Sequence, residues 1–343
     1  MAKQTEKFDY MAFRKAQSEG EPHRLYLLWG AEDYLIRDFV KLLRSKCVSP
    51  GSEDFDAKRI DSPTPDAADV EEALNAMPFF GGRTFLELHG FDVNRCKDER
   101  LMAALADIPE WCTVVIILPN DTQPDNRLSF VKQLKKDGTA AEFTSQSSAM
   151  LYQWLQQRFR ERGKTIGRDA MDRLMFLSGE LMNRLLPEID KVASYAAGER
   201  VTVEDVNAVA HHIPEADAFE MTDRIAKGDT DGAAHILAEL LAGGNAPDAL
   251  MGAINWQVRQ LYAARVCMDA GQSGAVLKEL IGTNSDYRVK MLMNSARGFS
   301  SRELTADVRL CCEAVMNLRG SLMSSEDAMK EFLVRMAMER RNA

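Results

Sequence analysis

What this chain lacks narrows its reading first. No stretch approaches about eighteen uninterrupted apolar residues, so no segment is suited to cross a bilayer as a helix and no membrane partner is expected. The opening residues MAKQTEKFDYMAF carry no apolar signal core, and the expectation is a cytoplasmic protein. The six cysteines, at 47, 96, 112, 267, 311 and 312, form no CxxC pair, and His211-His212 has no cysteine beside it. Structural zinc needs about four clustered ligands, so no metal is expected. Dispersed thiols suit a reducing compartment, and Cys311-Cys312, inside an apolar helical run, read as packing. Basic excess is missing too: 43 Lys and Arg face 52 Asp and Glu, a formal charge of −9. That excludes a globally basic nucleic-acid binder and leaves only local patches open. The charge is −6 over residues 1–150, −1 over 151–215 and −2 over 216–343, so contact with DNA belongs in the later segments.

What is present is the balance of a globular protein, 45% apolar and 28% charged, in a chain of 343 residues that is long enough for two or three domains. After a polar leading helix within residues 1–20, HRLYLLWG reads as a buried strand stopped at Gly30. The helix that follows carries Leu35, Ile36, Phe39, Val40 and Leu43 at helical spacing. Further strands are expected at 57–61, 83–90, 112–119 and 140–143. A helix over 66–77 puts Val70, Leu74 and Met77 on one face and is ended by Pro78. Strands alternating with helices imply a mostly parallel sheet covered on both faces. Beyond residue 144 no strand is expected. Helices over 151–163, 169–179 and 181–196, with Gly163 and Gly179 as caps and Thr202-x-x-Asp205 as a capping box, make a small helical module. From about 216 the pattern is helical throughout, with Ser300-x-x-Glu303 and Ser324-x-x-Asp327 as further helix starts. The fold class is therefore α/β plus all-α, divided at 1–147, 148–215 and 216–343.

Catalytic chemistry is missing as well. The strand–turn–helix at Gly30 is where a P-loop, G-x-x-x-x-G-K-[ST], would lie. The aligned residues read GAEDYLIR: Leu35 stands for the second glycine, Ile36 for the lysine and Arg37 for the hydroxyl residue. The groups that wrap phosphate, neutralise it and hold magnesium are all absent, and Glu32 and Asp33 would repel phosphate. No GxSxG elbow and no HExxH occurs, and His23, His89 and His235 stand alone. His211-His212, at the end of a helix before Pro214, reads as helix-terminal cations. No catalytic activity is expected of the chain itself, and no cofactor.

The order of these pieces resembles the delta subunit of the bacterial DNA polymerase III clamp loader. LYLLWGAEDYLIRDFV (25–40) is similar to that family's opening strand, turn and helix, and LNAMPFFGGRTFLEL (74–88) to its clamp-contact segment. SGELMNRLLPEIDKVASYAAGERVTVEDV (178–206) is similar to its helical module, and the sequence 219–262 to the start of its collar. The resemblance spans roughly residue 20 to the end. It implies a degenerate AAA+ module that binds no ATP, a helical lid, and a collar that joins the ATPase and stator subunits in a ring. It also implies a role in DNA replication, as part of the polymerase III holoenzyme: binding the sliding clamp and holding it open for loading onto primed DNA. The cysteine zinc module usual in the related ATPase and stator subunits is missing here.

Met77, Phe79 and Phe80 are the clamp-binding residues the resemblance implies. From residues alone, Pro78 and Gly81-Gly82 put the two phenylalanines on a tight corner, where they either plug the core beneath or protrude. Tyr287, Arg288 and Lys290 form a small aromatic and basic cluster whose functional reading is contact with DNA and whose bland reading is a solvated helix start. The methionines at 171, 175, 182, 291, 293, 323, 329, 336 and 338 read as adaptable packing. Two other functions compete, a divergent P-loop-like ATPase and a free-standing DNA-binding regulator. Isoleucine at position 36 speaks against the first, and sparse basic residues against the second.

Overall fold

The computed structural model describes residues 9–341 except 121, 284 and 320–323. The chain forms two compact units, divided between Gln146 and Ser147, with residues 181–183 belonging to the first. Apart from residues 181–183, the expected lid and collar segments thus fall together in the second unit. Among the described residues no helix is long and apolar enough to cross a membrane.

The first unit begins with α1 (Tyr10–Glu19), β1 (Leu25–Trp29) and α2 (Asp33–Cys47), then α3 (Glu53–Asp56), β2 (Ala57–Asp61) and α4 (Ala67–Asn75). It continues with β3 (Thr84–His89), α5 (Glu99–Ala106), β4 (Cys112–Ile117), α6 (Ser129–Asp137) and β5 (Thr139–Glu142). All strand pairs are parallel, in the order β2-β3-β4-β1-β5. The central strand CTVVII is buried at every residue, as a strand covered on both faces must be.

One face of the sheet, through Leu25, Leu27, Leu86, Leu88, Val114 and Ile116, packs with α4, α5 and α6. The other carries an aromatic cluster in which Phe39 of α2 meets Tyr26 of β1, Phe13 of α1 and Phe143 just past β5. Three helices of this unit, α3, α5 and α6, were not expected from the sequence. α3 is a single turn of four residues, and α5 and α6 each send only two residues into the core, Leu101 with Leu105 and Val131 with Leu134, too few for a clear period. Residues 1–8 of the expected leading helix lie outside the described residues.

The second unit contains α7 (Ser148–Arg160), β6 (Thr165–Ile166), α8 (Arg168–Ser178), the body of α9 (Met182–Tyr195), β7 (Arg200–Val201) and α10 (Val203–Val209). Its remaining helices are α11 (Pro214–Ala226), α12 (Thr230–Ala242), α13 (Pro247–Asp269), α14 (Gly274–Leu280), α15 (Asp286–Ala296), α16 (Ser301–Arg319) and α17 (Ser325–Arg341). The expectation of no strand beyond residue 144 is corrected: Thr165 and Ile166 pair in parallel with Arg200 and Val201. Two residues are too few to show alternation in sequence.

The capping box at Thr202 and Asp205 is present, and Ser300 and Ser324 cap α16 and α17 through the amides of Glu303 and Asp327. α13 runs through the centre of the helical region against α11, α15, α16 and α17. Cys311 is fully buried there while Cys312 is exposed, because neighbours on a helix point about 100° apart. Met171, Met175, Met182, Met329 and Met336 are buried packing residues, Met338 is exposed, and Met323 lies outside the described residues. His211 and His212 lie beyond the end of α10 rather than in its last turn. The His211 N–H donates to Glu188 at 2.8 Å, and the His212 ring meets Asp217 at 2.9 Å.

Candidate functional site

The turn after β1 is short. Only Gly30, Ala31 and Glu32 separate the strand from α2, so Leu35 and Ile36 fall inside the helix and point into the core, 2% and 4% exposed. Gly30 has φ +125°, and a Cβ there would lie 2.3 Å from the Phe143 carbonyl oxygen, so the turn is pressed against the exit of β5. The Glu32 N–H donates to that same carbonyl at 3.0 Å.

Glu32 is fully buried, and burial raises its carboxyl to about 7, opposed by the Met182 amide and reinforced by the Asp33 charge. Arg37 is exposed and paired with Asp33 at 2.7 Å. A cleft of about 560 Å³ flanks α2, and its arginines are paired internally: Arg37 with Asp33, Arg59 with Asp61 at 2.6 Å, and Arg44 with Glu87, which also meets His89; Lys41 lines the same cleft. This helix start therefore offers phosphate a buried acid and an adjoining Asp instead of a glycine loop and a lysine.

A second feature is an apolar corner between α4 and β3. α4 ends at Asn75, so Met77 is not on the helical face with Val70 and Leu74, contrary to the expectation from spacing. A residue before proline is pushed to extended backbone, which ends the helix early. Met77 is 71% exposed, Phe79 62% and Phe80 66%. The two rings meet edge to face at 4.6 Å and neither plugs the core.

Gly81 and Gly82 have φ +85° and +83°, a conformation that disfavours other residues. A Cβ on Gly82 would come within 2.8 Å of the Cys47 carbonyl oxygen. Ser49 donates its hydroxyl to the Gly81 carbonyl at 3.2 Å, and the Arg83 N–H donates to Cys47 at 2.8 Å. The corner is thus tied to the end of α2 by backbone contacts and leaves its rings in solvent.

Sequence reasoning missed Phe55. It lies in α3, is 69% exposed, and stacks on Phe79 with centroids 5.1 Å apart and 18° between planes. Its signal is weak: one aromatic residue among the acids of EDFD, with no periodic partner.

The three residues suggested for DNA contact lie on α15 in the second unit. Tyr287 packs edge to face on Phe176 at 5.8 Å, and Phe176 does the same on Phe219 at 5.0 Å. The Arg288 guanidinium lies 4.4 Å from the centre of the Trp256 ring, its Nε donates to Gln260 at 3.2 Å, and burial lowers its pKa. Lys290 is exposed. Two of the three side chains are therefore engaged within the unit. Among the described residues no group of three or more His, Cys, Asp or Glu could hold a metal ion.

Comparison with known proteins bears on both units. Residues 26–144 match the family described as DNA polymerase III, delta subunit, and residues 215–336 match its C-terminal domain. The chain is 24% identical over 299 residues to the DNA polymerase III subunit delta of Bacillus subtilis (strain 168), covering 84% of this chain and 86% of that one. It is 23% identical over 293 residues to a probable subunit delta of Aquifex aeolicus (strain VF5), covering 82% and 81%. In fold it is similar to the solved Bacillus subtilis DNA clamp loader delta protein, with a TM-score of 0.54 and 20% identity, over 96% of this chain and all of that one.

Proposed function

Since the chain belongs to the DNA polymerase III delta-subunit family, the clamp-loader subunits of DNA replication with an AAA+-like fold, we propose that it binds the sliding clamp through Met77, Phe79 and Phe80 and holds the clamp open during loading. The observation that carries this reading is the exposure of all three side chains on a corner whose backbone is held by Cys47 and Ser49. Exposed aromatic rings on a fixed turn lose little conformational freedom on entering a partner's pocket, and that is where binding energy concentrates. Opening is then an equilibrium shift: the contact must favour the open clamp over the closed one.

The blank helix start supports a subunit that takes no nucleotide and depends on ATP bound by its neighbours. The helical second unit would hold it among the ATPase and stator subunits, and primed DNA would be met within that assembly. A divergent ATPase fits poorly with Ile36 in the core and Glu32 at the helix start. The direct test is the affinity of the purified chain for purified sliding clamp, measured beside ATP in the same calorimeter. Clamp should bind and ATP should not; ATP binding without clamp binding would overturn the reading.

A further inference from the structure

The aromatic corner does not stand alone. Phe55 reaches it from another segment, and the residue beside Phe55 holds it in place. Asp56 is 3% exposed, and its Oδ1 accepts the Phe79 N–H at 2.8 Å. Pro78 has no N–H, so this is the first backbone donor on the corner past Met77, and fixing it fixes where the rings leave the chain. α3 is itself held: the amides of Phe55 and Asp56 donate to the Ser52 carbonyl at 3.0 and 2.8 Å. It runs straight into β2, whose Ala57 pairs in register with Phe85 of β3. The sheet therefore fixes Asp56, and Asp56 fixes the corner.

The second carboxylate oxygen of Asp56 is buried with no hydrogen-bond partner among the described residues. Asp56 also lines a cavity of about 150 Å³, together with Phe55, Lys58, Glu72 and Phe85. A buried side chain with one polar oxygen unpartnered is a poor way to stabilise a fold, because that oxygen leaves water without a replacement hydrogen bond. Its one good contact goes to the corner.

We propose that Phe55 and Asp56 form a second limb of the clamp-contact surface: Phe55 is a further aromatic anchor, and Asp56 is the positioning residue that presents Phe79. The proposal rests on the clamp-binding reading above. Phe55, Phe79, Phe80 and Met77 make one apolar patch from two separate segments, and such a patch, exposed on a fixed backbone, fits an apolar cleft on a protein partner. The sliding clamp is the occupant, because the patch is continuous with the residues already assigned to it.

Two measurements on the full chain test this. The first needs no clamp: hydrogen exchange of the Phe79 amide should be slow in wild type and in Asp56→Asn, which keeps an acceptor, and clearly faster in Asp56→Ala. The second is affinity for purified sliding clamp, which Phe55→Ala and Asp56→Ala should each weaken by about tenfold, with Asp56→Asn close to wild type. Should Asp56→Ala fail to fold, Asp56→Ser, whose shorter side chain cannot span the same gap, takes its place. Unchanged Phe79 exchange in the Ala or Ser variant overturns the role of Asp56. Full clamp affinity in a folded Phe55→Ala variant overturns the role of Phe55. If wild type binds no clamp, the clamp reading falls and takes the Phe55 anchor with it, while the exchange measurement alone still decides Asp56.

Discussion

The rings of Phe55 and Phe79 lie nearly parallel, 5.1 Å between centroids, although they belong to different segments and both are largely in solvent. Stacked rings exposed to water lose only part of their hydration, so the pair gains little for folding compared with what it could gain by entering a partner. That balance sets opposite expectations for stability and for binding.

Replacing both corner rings, Phe79→Ala with Phe80→Ala, should therefore nearly abolish binding to the sliding clamp, since a buried aromatic anchor is typically worth on the order of 2–4 kcal/mol. The thermal midpoint should move little. Core rings would cost roughly 3–5 kcal/mol each in folding, and these are more than 60% exposed. A large fall in midpoint, with clamp affinity retained by the folded fraction, would contradict the assignment.

Gly82→Ala tests the backbone of the same corner. The new Cβ would meet the Cys47 carbonyl oxygen at 2.8 Å, at a φ of +83° that alanine adopts reluctantly. The expected cost is about 1–3 kcal/mol, together with weakened clamp binding as the corner shifts. Denaturant titration and clamp affinity read the two effects. Alanine at Gly81, with open space around its Cβ, should be milder.

Much of the first unit is legible in the sequence, because buried strands and amphipathic helices leave strong periods. HRLYLLWG and CTVVIILP announce themselves, as does the helix from Asp33. Met77 was misplaced because helical spacing continues on paper to a residue that Pro78 forces out of the helix. Phe55 was invisible because its partner, Phe79, is distant in sequence, and no local pattern records a non-local stack. Tyr287 and Arg288 read from the sequence as an aromatic and basic cluster for DNA contact or as a solvated helix start, and their engagement is hidden for the same reason: Phe176 and Trp256, which meet them, lie elsewhere in the chain.

Those contacts separate the roles of the cluster. Tyr287→Ala should lower stability by about 1–2 kcal/mol by removing the ring that packs on Phe176. Lys290→Ala should leave the midpoint unchanged, because Lys290 is exposed. If α15 meets primed DNA, Lys290→Ala should still weaken DNA-stimulated clamp loading, more at low salt than at high. Loading that is unchanged at every salt concentration removes Lys290 from the DNA contact.

Restoring a lysine at the blank helix start should not restore nucleotide binding. Ile36 is 4% exposed within α2, so Ile36→Lys buries a charge instead of presenting it to a phosphate. A loss on the order of 3 kcal/mol or more is expected, because burying an unpaired charge is among the most destabilising single changes. Thermal denaturation reads the loss, and calorimetry should still detect no ATP binding.

Glu32 makes the fold's stability depend on pH in a direction opposite to most carboxylates. Its ordinary value of 4.5 is raised to about 7, chiefly by burial. Below about pH 4.5 the carboxyl is neutral in both the folded and the unfolded chain, and its contribution is fully present. As pH rises toward 7 the unfolded chain releases the proton while the folded chain keeps it, so stability falls across that window and levels off above it. Asp125, held down to about 2 by the Arg127 guanidinium and amide, contributes with the opposite slope at lower pH, so the comparison must be with a matched variant. Glu32→Gln keeps the shape and removes the titration. Its stability advantage over wild type should be near zero at pH 4, grow between about 4.5 and 7, and reach on the order of 2–3 kcal/mol at pH 8. Urea denaturation of both proteins at those pH values measures it. A constant difference across the series would mean that Glu32 titrates normally and is not buried as a neutral acid.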